Sequence, residues 1–253
     1  MGGDDLGSDD EFLTAPIRSD PDEDDDTSAA PVELSKSPIE KRGIPDAASE
    51  QIAPSKMRKK VGGTSLYDLG STVRNLPAET QAKLLSDFAS TRFLPHHISR
   101  SNESDENTGI AKRIQGMVSK KKLKKWKVKE SPCVVIVCLS ARRAVQVLKE
   151  LAPLNVRAAK LFAKHITIED QVKQLQESPF GIAVGTPHRI LTLAQQGSLS
   201  LEETQCVVLD TFVNDKKFSV YTLPDTMLHT QDFLKEYIQP ACQKRKDCRI
   251  GFV

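Results

Sequence analysis

The chain has 253 residues, 28% of them charged and 38% apolar, with a formal net charge of +2. That length suits one domain of roughly 120–150 residues plus extensions. Its longest apolar run, Cys133–Leu139, is far short of the roughly 20 residues that span a bilayer, and its acidic start lacks the basic and apolar regions of a secretory signal, so the expectation is a soluble protein of a reducing compartment.

The small net charge hides opposed blocks. Residues 1–30 carry eleven acids against Arg18 alone, with little apolar surface to bury, and residues 1–60 are expected to form a disordered arm, acidic and then basic. The arm ends in Lys56-Met57-Arg58-Lys59-Lys60, which reads as a solvated linker, a nuclear import signal or an anchor on nucleic acid. Residues 61–130 are expected to be a helical extension and a basic linker. In the extension, Pro77–Ser90 predicts a helix, with Leu84, Leu85 and Phe88 on one face and Glu79 in the first turn. His96 and His97 are adjacent, so they diverge on any regular element, and no third metal ligand is near them. Ser101–Thr108 reads as a loop.

Residues 112–129 hold nine Lys or Arg and no acid, a basic helix or an extended arm. Such a segment displaces counterions from a phosphate backbone. Lys121, Lys122, Lys124 and Lys125 are the candidate phosphate contacts and Trp126 the candidate stacking face. RNA or an acidic partner fits this segment better than a plain solvated face.

From residue 131 the pattern changes to short apolar runs separated by amphipathic segments. Cys133–Leu139 is a continuous β-branched run, as expected of a strand buried on both faces. Ser140 caps the following helix, whose stripe is Ala144, Val147 or Leu148 and Leu151, and Pro153 stops it. Strands follow at about Val156–Phe162, Gly181–Gly185, Gln205–Asp210 and Arg249–Val253. Helices start at Thr167, with Asp170 three residues on, at Pro187, ending by Gly197, and at about Asp225, ending near Ile238. This alternation predicts a three-layer α/β domain with a mostly parallel sheet over residues 131–253. The five cysteines, an odd count without zinc-knuckle spacing, read as buried free thiols.

The residues at the strand ends carry a resemblance. Ser140-Ala141-Arg142-Arg143, Thr186-Pro187-His188-Arg189 and Val207-Val208-Leu209-Asp210 resemble successive motifs of the first RecA-like domain of DEAD-box RNA helicases. That resemblance implies a RecA-like, P-loop-NTPase-like domain, and it assigns RNA-backbone contacts to Arg142, Thr186 and Arg189. Lys164 stands where the helicases have a glycine pair and supplies charge there. The departures remove the chemistry: no G-x-x-x-x-G-K-[ST] occurs, Gly62-Gly63-Thr64-Ser65 lacks the lysine, and Thr211 follows Asp210 where the helicases have glutamate. The domain is therefore expected to be degenerate, with no catalytic residues, no cofactor, no metal and no small-molecule substrate.

A closer resemblance is to the Cms family. It rests on Asp4–Gly7, the basic clusters, the helix after Leu76, Leu161–Ile166 and Val184–Arg189. It implies a non-helicase component of nucleolar, U3-containing small-subunit precursor particles, with pre-ribosomal RNA and ribosome assembly proteins as partners, a nucleolar or nuclear location and no membrane. Two alternatives stand beside it: a protein scaffold without RNA contact, and a residual ATP-binding helicase using Asp210.

Overall fold

Every residue of β1 (Val134–Val137) is buried because helices cover both faces of the sheet to which it is central. The computed structural model describes residue 66, residues 70–99 and residues 108–253. The acidic arm, Lys56–Lys60, Gly62–Ser65 and the 101–107 part of the expected loop lie outside them.

The other strands are β2 (Ala158–Leu161), β3 (Ile182–Gly185), β4 (Cys206–Leu209) and β5 (Arg249–Phe252). All pairings are parallel and the order is β2-β3-β1-β4-β5. In register, Val134 lies between Ile182 and Cys206, and Val137 between Gly185 and Leu209. The fold is the three-layer α/β arrangement that the alternating pattern predicts.

Eight α-helices, besides 3-10 turns, frame the sheet in the described residues: α1 (Ala78–Ala89), α2 (Ile110–Met117), α3 (Lys120–Lys124), α4 (Ala141–Leu151), α5 (Ile168–Glu177), α6 (Pro187–Gln195), α7 (Pro224–Phe233) and α8 (Gln239–Lys244). The expected caps form where the sequence puts them. Ser140 Oγ accepts the Arg143 N–H at 3.2 Å, Thr167 Oγ1 accepts the Asp170 N–H at 3.1 Å, and Gly197 sits at φ +72° after α6. The helix expected to end near Ile238 does not end there. A π turn over Leu234–Ile238 carries it into α8. None of the described helices is long and apolar enough to cross a membrane.

Alternation along the strands sends neighbouring residues to opposite faces. One face presents Val135, Val137, Ala183, Val207 and Leu209 to α1, α5, α6, α7 and the π turn. The other presents Val134, Ile136, Val184 and Val208 to α2, α4 and Leu123 of α3. This asymmetry follows from topology. The β1-to-β2 crossover runs one way along the sheet and the later crossovers run the other way, and right-handed connections then place α4 alone on its face. The basic segment supplies the missing cover.

That segment is two short helices rather than one long one, and it is amphipathic. Ile110, Ile114, Val118 and Leu123 point inward, and each fully buried aliphatic side chain contributes about 1.5–3 kcal/mol. Arg113 also points inward, only 1% exposed, its Nε donating to the Thr108 carbonyl at 3.0 Å. Of the nine cations in 112–129, this one is not available to an outside phosphate. Gly181 fixes where α3 lands: a Cβ there would strike the Leu123 carbonyl oxygen and lie 2.5 Å from Val156 Cγ1. The five cysteines are buried free thiols, as expected.

Candidate nucleic-acid interface

Parallel strands put all their C-terminal ends on one edge of the sheet, and four of the candidate residues lie there. Arg142 is exposed in the first turn of α4, after β1. Lys164 is exposed in the turn after β2, beside His165 at φ 56°. Thr186 is the half-buried N-cap of α6, after β3, and its hydroxyl makes no capping bond to that helix. Because β2, β3 and β1 are neighbours, these three residues sit on adjacent strand ends. Pro187 at the first position of α6 leaves the following N–H groups and the positive dipole end facing the same edge, a favourable setting for an anion.

Arg189 is the fourth, and part of its guanidinium is engaged inside the domain. Its Nη1 donates to the Ile166 carbonyl at 3.2 Å and to Gln171 Oε1 at 2.8 Å. Gln171 is only 1% exposed and its Nε2 donates to the Lys160 and Phe162 carbonyls at 2.7 and 3.0 Å. Arg189 and Gln171 thus tie α6 and α5 to the turn that carries Lys164. Gln171 was not singled out from sequence. Its signal there was weak: a polar residue beside the apolar stripe of α5.

Next along the edge, after β4, the chemistry is closed off. Arg143, not its neighbour Arg142, reaches Asp210: Nε to Oδ2 at 2.8 Å and Nη2 to Oδ1 at 3.2 Å. The Asp210 side chain is 1% exposed and that of Arg143 13%. Asp210 Oδ1 also accepts the Phe212 N–H at 3.3 Å, and the guanidinium lies 4.6 Å from the centre of the Phe212 ring. Burial opposes the charge on Arg143, but the bond to Asp210 and the fields of Asp210 and Glu150 outweigh it and raise its pKa. The cavity beside this pair, about 350 Å³, is lined by Arg74, Thr108, Gly109 and Arg113 as well. Among the described residues, no three His, Cys, Asp or Glu side chains gather as a metal site.

The remaining candidates lie at the other end of the strands. α3 and the residues after it lead into the start of β1, and the N–H of Gln205, just before β4, bonds the Cys133 carbonyl at 2.9 Å. There Lys121, Lys122, Lys125 and Lys127 surround Trp126 in a depression of about 350 Å³. Trp126 is half-buried, its Nε1 donating to the Ser131 carbonyl at 2.8 Å while the ring packs beside the Leu123 face. The bond fixes the ring and leaves it lining the depression. Lys124 is exposed but does not line it. The nine candidates therefore form two groups. The seven residue steps from Cys133 to Ser140 run through β1 and its flanks, and at up to about 3.3 Å each they put the two edges roughly 20 Å apart.

A family model described as CMS1, U3-containing 90S pre-ribosomal complex subunit, matches residues 110–252. The chain is 27% identical to Protein CMSS1 of Homo sapiens over 220 residues, 82% of this chain and 78% of that protein. It is 31% identical to Protein CMS1 of Chaetomium thermophilum over 180 residues, 67% of this chain and 70% of that protein. The crystal structure of a DEAD box protein from the hyperthermophile Methanococcus jannaschii is similar over 49% of this chain and 32% of its own, at 28% identity and a TM-score of 0.34.

Proposed function

The chain belongs to the CMS1 family of U3-containing 90S pre-ribosomal complex subunits, and from that premise we propose that it is a non-catalytic assembly factor of the small-subunit precursor, acting in the nucleolus by binding RNA through a degenerate helicase-type domain. The observation that carries the non-catalytic part is the Arg143–Asp210 pair. Metal-assisted phosphoryl transfer needs a carboxylate free to hold the cation. Here both Asp210 oxygens face the guanidinium of the same chain. The RNA part is supported by Arg142, Lys164 and Thr186 on adjacent strand ends and by the lysines around Trp126.

Ultraviolet crosslinking in cells tests the RNA reading: small-subunit precursor RNA is expected in the crosslinked fraction. A tagged protein that copurifies with the particle but crosslinks to no RNA would instead favour a protein scaffold, a reading to which the internal bonds of Arg189 lend some support. Calorimetry with ATP and magnesium tests the catalytic question, and no binding isotherm is expected. Tight binding that Asp210→Ala abolishes would overturn it.

A further inference from the structure

The two groups of basic residues lie at opposite ends of the strands, with the sheet and its covering helices between them. We propose that the N-terminal ends of the strands form a second, separate RNA-binding edge, so that the domain holds two single-stranded RNA segments at once, one at each end of its sheet. The proposal rests on the RNA-binding reading above.

The second edge is larger than the lysine-rich segment suggests. Lys246 and Arg249, exposed just before and at the start of β5, line a depression of about 290 Å³ together with Gln205 and Asp247. Lys122 Nζ donates to Gln205 Oε1, and Gln205 Nε2 donates to Asp247 Oδ2 at 2.9 Å. This chain of bonds joins the hollow beside Trp126 to the hollow beside β5. Acids also lie at this end, namely Glu130, Glu177, Glu202, Glu203 and Asp247, with Glu177 3.9 Å from Lys173. Asp247 is partnered by Arg245 at 3.0 Å, a bond that lowers its pKa. The exposed cations Lys121, Lys122, Lys125, Lys127, Lys246 and Arg249 outnumber these acids, and the edge keeps a positive balance.

The partner chemistry follows from the ring. An acidic peptide would use the lysines and leave Trp126 idle, whereas single-stranded RNA uses both, with phosphates on the cations and a base against the indole. Double-stranded RNA offers no unstacked base for the ring. The separation makes double occupancy feasible. At roughly 20 Å the edges are more than two Debye lengths apart at physiological salt, about 8 Å each, so one bound strand scarcely repels the other.

Trp126 is the only tryptophan of the chain, so its fluorescence reports on this edge alone. Oligouridylate titrated into the full-length protein is expected to quench it. In the variant Lys125→Glu/Lys127→Glu/Lys246→Glu, all at exposed positions, the quench is lost. In Arg142→Glu/Lys164→Glu the quench survives. A biotinylated oligouridylate on beads should capture a second, fluorescent oligouridylate through the wild-type protein, and reversal at either edge should abolish capture while leaving single-strand binding measurable. Capture that survives both reversals reports a dimer and overturns the proposal. Wild-type protein that binds one strand but never bridges two also overturns it and leaves the RNA-binding reading standing. No binding of either strand removes the RNA-binding reading, and this proposal with it.

Discussion

The Arg143 guanidinium holds both oxygens of the Asp210 carboxylate across 67 residues of sequence, with the carboxylate 1% exposed. The pair joins the first turn of α4 to the end of β4, and it occupies the place where the fold would otherwise present an acidic group to a ligand. Breaking such a pair leaves a buried charge without compensation, whereas removing both partners leaves none. Arg143→Ala is therefore expected to lower the unfolding free energy by about 3–5 kcal/mol, and the double variant Arg143→Met/Asp210→Asn by less than the sum of its single changes. A urea-unfolding double-mutant cycle measures the difference, and additive costs would show that the two groups do not act as a unit.

The Gln171 amide satisfies two β2-end carbonyls and in turn accepts from Arg189. Gln171→Leu strips a partner from the buried Phe162 carbonyl and from the partly buried Lys160 carbonyl and is expected to cost about 1–3 kcal/mol. Arg189→Lys loses the planar fork and does not restore the two Nη1 bonds. Hydrogen exchange of the Ala163–Ile166 turn should accelerate in both variants. Unchanged exchange there would assign the Arg189 bonds no role in shaping the turn.

Gly181 sits where α3 closes onto the sheet, and a methyl group there meets the Leu123 carbonyl and Val156. Backbone cannot give way as a flexible side chain does. Gly181→Ala is expected to lose about 1–3 kcal/mol and to shift the Trp126 emission, because α3 and the turn after it must move. A thermal scan followed by tryptophan fluorescence reads both, and a variant with wild-type Tm would show that the approach is slack.

His97 is 4% exposed, and its Nδ1 accepts the Leu94 N–H at 3.2 Å, a bond that protonation of that nitrogen removes. Burial first, and the neighbouring His96 second, hold its pKa below the ordinary 6.5. As pH falls, the unfolded chain therefore takes up the proton before the folded one does. The contribution of His97 to stability is complete above about 6.5, declines as pH drops from there toward the folded value, and is level below it. The Tm of His97→Asn should fall less than that of the wild type between about pH 7 and pH 5.5. Equal slopes would place the acid sensitivity elsewhere.

Tyr221 is fully buried, and its hydroxyl has no hydrogen-bond partner among the described residues. Burial, and then the charge of Asp210, raise its pKa. Its ring does the packing, edge-on to Phe88 at 5.6 Å. Tyr221→Phe keeps the ring and removes the desolvated hydroxyl, so stability should be unchanged or higher by up to about 1 kcal/mol. A clear loss in a denaturant titration would reveal a partner for the hydroxyl.

Much of the architecture was written locally. Cys133–Leu139 is apolar at every position because both faces of its strand are covered, and Ser140, Thr167 and Gly197 mark helix ends through bonds or backbone angles that involve only near neighbours. Such features depend on a few adjacent residues, and a few adjacent residues are what a sequence displays. The buried cysteines follow from the same apolar runs. The candidate site was legible only in part: the sequence marks which residues are basic, but Arg113 turned inward and Gln171 became a hub, because burial depends on what packs from elsewhere in the chain.

The sequence by itself determined the strands, the caps, the parallel α/β class and the residue types at each turn, because periodicity and capping are short-range. Only the tertiary structure decided that Arg143 rather than Arg142 meets Asp210. Adjacent helical residues point about 100° apart, and the partner arrives at the end of β4, the third strand after their helix. Only the tertiary structure, too, placed the Lys121–Trp126 segment and the group Arg142, Lys164, Thr186 and Arg189 at opposite ends of one sheet. Which end of a parallel strand a segment joins is set by strand order and chain direction, and neither is carried by the charge of the segment.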